Sequence, residues 1–203
     1  MTKVKFCGLT RPEDIAAANK LLPDYIGFVM APASRRYVAP DQARALKREL
    51  RQGIKAVGVF VNEDIRRIAE LTADDTLDLV QLHGQEDATY IESLRKVTRK
   101  PILQAFLIAT EKDIAAAQKS SADFILLDAG SGAGKAFDWS LATKMQRPYF
   151  LAGGLTPDNV AKAIHQCHPY AVDVSSGIET DGTKDPEKMK VFLQAVKEAK
   201  NQE

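Results

Sequence analysis

The chain has little of what a covalent staple, a metal cluster or a bulk-charge partner would require. Its 203 residues contain two cysteines, Cys7 and Cys167, with no CxxC spacing, too few for a disulfide scaffold. Charge of one sign is missing as well: Lys+Arg 28 against Asp+Glu 27 leaves a net charge of +1. That balance gives no support to a nucleic acid or anionic membrane held by bulk charge. No apolar run approaches the roughly 18 residues of a membrane span. The amino terminus, Met1-Thr2-Lys3-Val4-Lys5-Phe6, enters a strand-like pattern without a signal or transit sequence. What is present is ordinary for a globular protein, with 45% hydrophobic and 27% charged residues. A domain this long buries roughly 70% of its unfolded surface and forms a core without staples. The expectation is one soluble, cytoplasmic domain over residues 1–203, with no nucleic-acid or membrane partner, as a monomer or homodimer.

Two textures alternate along the chain. Short apolar, β-branched runs occur at Val4–Phe6, Tyr25–Met30, Ala56–Val61, Leu77–Leu82, Pro101–Ile108, Phe124–Leu127, Tyr149–Ala152 and Tyr170–Val174. Between them apolar residues recur at helical spacing, as in Ile15, Ala18, Leu21 and Leu22, or Val160, Ala163 and Ile164. Most of the runs are continuous, which is how strands buried on both faces read. Helix starts follow the strands. Thr10-Arg11-Pro12-Glu13 reads as a capping box, Thr156-Pro157 and Asp185-Pro186 each place a capping side chain before a first-turn proline, and Asn62 and Thr110 stand in the same relation to their helices.

Alternating β and α with buried strands implies a parallel sheet with helices outside it. Eight units in this length favour a single (βα)₈ TIM barrel with minimal loops. The competing open doubly wound sheet usually carries a glycine fingerprint after its first strand, and Cys7-Gly8-Leu9-Thr10 has one glycine only.

In such a barrel the site lies where strand C-termini meet the following loops. The polar residues there are Cys7, Arg35 and Arg36, Asn62, His83, Asp128, Gly153-Gly154, and Asp173 with Ser175-Ser176-Gly177. Cys7 and Asp128 are the acid/base candidates, since a thiol and a carboxyl exchange protons with a substrate without a metal. Taken singly, Cys7 also fits a small buried hydrophobe and Asp128 a loop cap. Gly130-Ser131-Gly132-Ala133-Gly134-Lys135-Ala136 is not a Walker A loop, because Ala129 and Ala136 stand where glycine and Ser/Thr are needed. It reads as a lid over the barrel mouth.

Phosphate is the ligand these loops suggest. Gly153-Gly154 follows the seventh strand and Ser175-Ser176 the eighth, where backbone N–H groups commonly bind phosphate in this fold. Two glycine turns are the plain alternative. His165, Cys167 and His168 close the seventh helix on the opposite face, where histidines complement the helix dipole. They are not read as a metal site, and one histidine at a strand end, His83, does not make one either.

Seven segments taken together resemble the phosphoribosylanthranilate isomerase family. They are Lys5-Phe6-Cys7-Gly8-Leu9-Thr10, Gly58-Val59-Phe60-Val61-Asn62, Val80-Gln81-Leu82-His83-Gly84, Leu126-Leu127-Asp128, Phe137-Asp138-Trp139, Ala152-Gly153-Gly154-Leu155 and Asp173-Val174-Ser175-Ser176-Gly177-Ile178-Glu179. The resemblance runs in order from end to end. It implies an Amadori rearrangement of N-(5-phosphoribosyl)anthranilate to 1-(2-carboxyphenylamino)-1-deoxyribulose 5-phosphate in tryptophan biosynthesis, without cofactor or metal. It implies Asp128 as general acid, protonating the furanose oxygen, and Cys7 as general base at sugar C2. Such a base needs its thiolate favoured, and such an acid needs desolvation or nearby negative charge.

The family's Ser-Pro-Arg motif, whose arginine grips the substrate carboxylate, is Ser34-Arg35-Arg36 here, so Arg36 takes the arginine position and Arg35 replaces proline. His83 and Asp173 complete the expected substrate contacts, and Gly153, Gly154, Ser175 and Ser176 the phosphate contacts. Two other readings remain: a different phosphosugar enzyme on a similar barrel, such as ribulose-phosphate 3-epimerase, and a non-catalytic phosphate-binding barrel.

Overall fold

A computed structural model of the chain describes residues 2–128, 130 and 139–199. The glycine-rich segment beyond Gly130, read above as a lid, and the Phe137-Asp138 pair lie outside the described residues. The elements run β1 (Lys3–Cys7), α1 (Pro12–Leu21), β2 (Tyr25–Val29), α2 (Pro40–Glu49), β3 (Lys55–Phe60), α3 (Ile65–Ala73), β4 (Leu79–Leu82) and α4 (Ala88–Arg95). They continue with β5 (Ile102–Leu107), α5 (Glu111–Lys119), β6 (Phe124–Asp128), α6 (Trp139–Ala142), β7 (Tyr149–Ala152), α7 (Val160–Cys167) and β8 (Ala171–Val174). A short hairpin, β9 (Glu179–Thr180) and β10 (Thr183–Lys184), precedes α8 (Pro186–Ala199). All eight expected strands are present, each within two residues of the apolar run that announced it, and the hairpin is an addition.

The eight strands pair in chain order into a closed parallel barrel, with β1 against β8 as the closing seam. Outward side chains such as Phe6, Ile26, Phe28, Val80 and Leu151 pack under the helices. Inward ones, including Tyr25, Val57, Leu79, Leu103, Leu126 and Phe150, fill the barrel. Burial on both faces is why the strands read as continuous apolar runs. The amino-terminal mouth is closed by Tyr25, Phe124, Phe150 and Tyr170 in mutual ring contact, with Lys3 over two of the rings. Going up the barrel, the inward positions turn polar: Lys5 then Cys7 on β1, Gln81 on β4 with His83 beyond it, Asp128 on β6, and Asp173 on β8. Period two along each strand is what lines them up.

Three helix starts differ from the sequence reading. In α1 the box is shifted by one residue: Arg11 is the cap position, and Asp14, not Glu13, reaches back to accept from the N–H groups of Thr10 (2.9 Å) and Arg11 (3.1 Å). Glu13 faces solvent. Helix α3 is capped by Asp64, whose carboxylate accepts from Arg66 N–H at 2.8 Å. Asn62 sits at φ 50° and braces two loops, giving its N–H to Glu86 (2.6 Å) and accepting from Gln85 N–H (2.8 Å). Thr156-Pro157 opens a turn, not a helix, since α7 begins only at Val160 and Asn159 accepts from Thr156 N–H. Thr110 and Asp185 occupy the positions expected of them.

The shifted box makes a testable contrast. Asp14→Ala orphans two backbone donors at a nearly buried site and should cost about 1–3 kcal/mol, whereas Glu13→Ala should fall within about 0.5 kcal/mol of the parent. Urea unfolding midpoints of the two variants check this.

Candidate active site

At the carboxyl ends of the strands lies a cavity of about 310 Å³. Cys7 and Asp128 line it from β1 and β6, and Arg36, His83 and Asp173 also face it. So do Gly153, Gly154, Ser175 and Ser176. Every site residue expected from the sequence therefore borders one space. Of the other strand-end residues, Arg35, Asn62 and Gly177 do not line it, and His165, Cys167 and His168 stand at the end of α7, away from it. Among the described residues no cluster of three or more His, Cys, Asp or Glu side chains is arranged to hold a metal ion. Among the described residues, likewise, no helix is long and apolar enough to cross a membrane.

The wall formed by the β7 and β8 loops is built by their close approach. Gly153 and Gly154 both take positive φ (92° and 65°), bending the chain sharply after β7. The β8 loop passes so near that a Cβ on Gly177 would lie 1.9 Å from the Leu155 carbonyl oxygen. Ser175 is held from behind: Lys184 donates to its carbonyl oxygen at 2.9 Å, and the two side chains meet at 3.2 Å.

On another wall Asp128 is bonded rather than free. His83 Nε2 lies 3.2 Å from Asp128 Oδ2, Gly130 N–H donates to Oδ1 at 2.9 Å, and the Gln81 amide nitrogen lies 3.1 Å from His83 Nδ1. With Gln81 donating to Nδ1, the imidazole hydrogen sits on Nε2 and points at Asp128. Burial pushes the Asp128 carboxyl up, but the hydrogen bonds from His83 and Gly130 outweigh it and hold it below the usual range. For Cys7, burial pushes the thiol up, and the pull of Lys5 the other way does not overcome it. Thiol and carboxylate are thus the favoured forms, the reverse of the tuning expected from the sequence. The cause is local: burial at Cys7 and direct donors at Asp128.

Sequence reasoning passed over four residues. Lys5 is fully buried and gives its ammonium to both oxygens of Asp173, at 3.0 and 2.9 Å. Asp173 borders the cavity with its carboxylate already engaged. Gln81 is buried one strand step below His83. Glu179 and Lys184 lie on the unforeseen hairpin, with Glu179 receiving Arg36 at 2.6 and 2.8 Å, Arg35 at 3.0 Å and Lys184 at 2.6 Å. The signal for Lys5 and Gln81 was there: each precedes a site residue by two, hence on the same face of its strand. Arg36 is 21% exposed and Arg35 62%, so the second arginine is the cavity-side one.

Burial pushes the Glu179 carboxyl up, yet the hydrogen bonds of Arg36 and Lys184 win and hold it at about 2. The stability this confers is whole above the ordinary glutamate value of 4.5 and is lost as pH falls through about 2. Glu179→Gln should therefore flatten the acid side of the stability–pH curve, removing on the order of 2–3 kcal/mol of pH dependence. Urea midpoints taken through that window decide it; a variant curve parallel to the parent's would refute the assignment.

Comparison with known proteins gives one consistent result. Residues 4–195 match the family model described as N-(5'phosphoribosyl)anthranilate (PRA) isomerase. A relative from Endomicrobium trichonymphae named N-(5'-phosphoribosyl)anthranilate isomerase is 44% identical, over 93% of this chain and 95% of its own. The crystal structure of phosphoribosyl anthranilate isomerase from Thermotoga maritima superposes with a TM-score of 0.90 at 38% identity, covering 98% of this chain and all of the other. A further solved structure, 37% identical with a TM-score of 0.88, holds such an isomerase in complex with reduced 1-(o-carboxyphenylamino)-1-deoxyribulose 5-phosphate; it covers 98% of this chain and all of its own.

Proposed function

The chain belongs to the phosphoribosylanthranilate isomerase family, and from that premise we propose how its residues divide the work. The protein isomerises N-(5'-phosphoribosyl)anthranilate to the corresponding 1-(2-carboxyphenylamino)-1-deoxyribulose 5-phosphate, an aldose–ketose conversion in tryptophan biosynthesis. The observation that carries the division of roles is that a thiol, a carboxyl, an arginine and two glycine- and serine-bearing loops all border one cavity.

Gly153, Gly154, Ser175 and Ser176 offer backbone and hydroxyl donors to the phosphate. Arg36 receives the anthranilate carboxylate. A guanidinium has five N–H donors in a planar fork, so an edge held by Glu179 leaves another for the ligand. Asp128 gives a proton to the furanose oxygen; the ring C1–O bond breaks and the amine nitrogen becomes an iminium. Cys7 takes the proton from C2, and the C–H electron pair becomes the C1=C2 bond of an enolamine. Protonation at C1 and loss of the hydroxyl proton then yield the ketone, so the product is an isomer of the substrate.

The substrate itself supplies the charge that reverses these two protonation states. Its carboxylate and phosphate bring negative charge, which favours a protonated Asp128, and the iminium favours a Cys7 thiolate. His83 keeps the Asp128 carboxyl oriented throughout. Catalytic groups are consequently set by charge that arrives with the ligand.

Loss of phosphoribosylanthranilate fluorescence on adding the protein tests the activity directly. Cys7→Ala and Asp128→Asn should each lower kcat about 10²–10⁴-fold with a much smaller change in KM, and circular dichroism should not change. Near-full turnover by Cys7→Ala would require a different base. Arg36→Ala should raise KM roughly 10- to 150-fold, the loss of one charge-assisted hydrogen bond, and Arg35→Ala should do far less. Equal effects at the two positions would reassign the carboxylate grip.

A further inference from the structure

Lys5 is among the largest described residues with no solvent exposure at all, and it is charged. A lone buried ammonium is expensive, so its position needs an account beyond packing. Asp173 supplies part of one: both carboxylate oxygens bond Nζ, at 2.9 and 3.0 Å. An ammonium has three hydrogens, and a single bidentate carboxylate does not account for all of them. On the other side of Nζ lies Cys7. A Cβ built on Gly27 would stand 2.7 Å from Cys7 Sγ and 3.3 Å from Lys5 Nζ, so sulfur and ammonium face the same glycine-sized space. Any larger residue at position 27 would wedge between them.

We infer that Lys5 is the positioning residue for the base, a fixed ammonium set beneath Cys7 by Asp173 that stabilises the thiolate as the C2 proton is withdrawn. This rests on the reading of Cys7 as the base. Four charged groups face the sulfur: Lys5 from its own strand, Asp173 from β8, Lys184 from β10 and Arg36 from the loop after β2. Of these, Lys5 pulls the thiol downward most strongly, while Asp173 opposes it. Lys5 also favours the charged form of Asp128 across the barrel. One buried cation thus lies under both catalytic groups, and its own anion keeps that field moderate.

The test reads the Cys7 thiolate in the free protein, by ultraviolet absorbance against pH, with the Cys7→Ala counterpart of each protein subtracted to remove Cys167 and the tyrosines. Lys5→Met should raise the Cys7 midpoint by about 1–3 pH units, and Asp173→Asn should lower it. Because Lys5→Met strands a buried carboxylate and can fail to fold, Asp173→Asn is also compared with Lys5→Met/Asp173→Asn, where no lone carboxylate remains; the double variant should titrate higher. An unmoved Cys7 midpoint in either folded pair overturns the inference and leaves the ion pair as packing alone. Since no substrate is present, the titration stands or falls separately from the isomerase reading. In turnover, the deficit of Lys5→Met should shrink as pH rises and restores thiolate, which a purely structural defect would not do.

Discussion

The seam that closes the barrel also sets its chemistry. Strands β1 and β8 pair in parallel with Lys5 opposite Asp173 and Phe6 opposite Val174. That register turns Lys5 and Asp173 inward together and puts Cys7 one step above them. Slipping the register by a single residue would send the ammonium to the helix face and Phe6 into the barrel, exposing an unpaired charge to an apolar layer. The ion pair is therefore tied to the one pairing that makes the barrel a closed sheet. Above it, the Cys7 thiol meets a cavity; below it, tyrosines and phenylalanines fill the interior.

A second ionic centre organises the rim. Glu179 gathers Arg35, Arg36 and Lys184, and Lys184 in turn holds Ser175. The arginine after β2 and the serine after β8 are thus parts of one network on the rim of the cavity. The arginine departure at position 35 fits this arrangement, since Arg35 joins the same carboxylate from the solvent side.

Much of this was legible in the sequence because burial on both faces leaves a plain trace: eight apolar runs, eight strands, and polar residues at their ends. The chemistry-bearing residues Cys7, Asp128 and Arg36 could be named because they stand at those ends. What stayed hidden has physical causes. Lys5 and Gln81 interrupt apolar runs, and only the inward phase of a closed barrel tells a buried polar residue from an exposed one. Glu179 acts on an arginine 143 residues earlier in the chain, a pairing no local pattern carries. The capping box at α1 was displaced by one residue because Glu13 and Asp14 are both acidic and adjacent; only the backbone decides which one reaches back. The protonation states of Cys7 and Asp128 depend on burial and neighbours, neither of which is a property of residue type.

The proposed orientation has phosphate at the β7 and β8 loops, carboxylate at Arg36, and the reacting carbons between Cys7 and Asp128. A crystal structure of the protein with reduced 1-(2-carboxyphenylamino)-1-deoxyribulose 5-phosphate measures it directly. Cys7 Sγ should lie about 3–3.5 Å from the carbon corresponding to C2, with the phosphate on Gly153, Gly154, Ser175 and Ser176 and the aromatic carboxylate on Arg36. A ligand bound the other way round, or one whose C2 lies out of reach of Cys7, would contradict it.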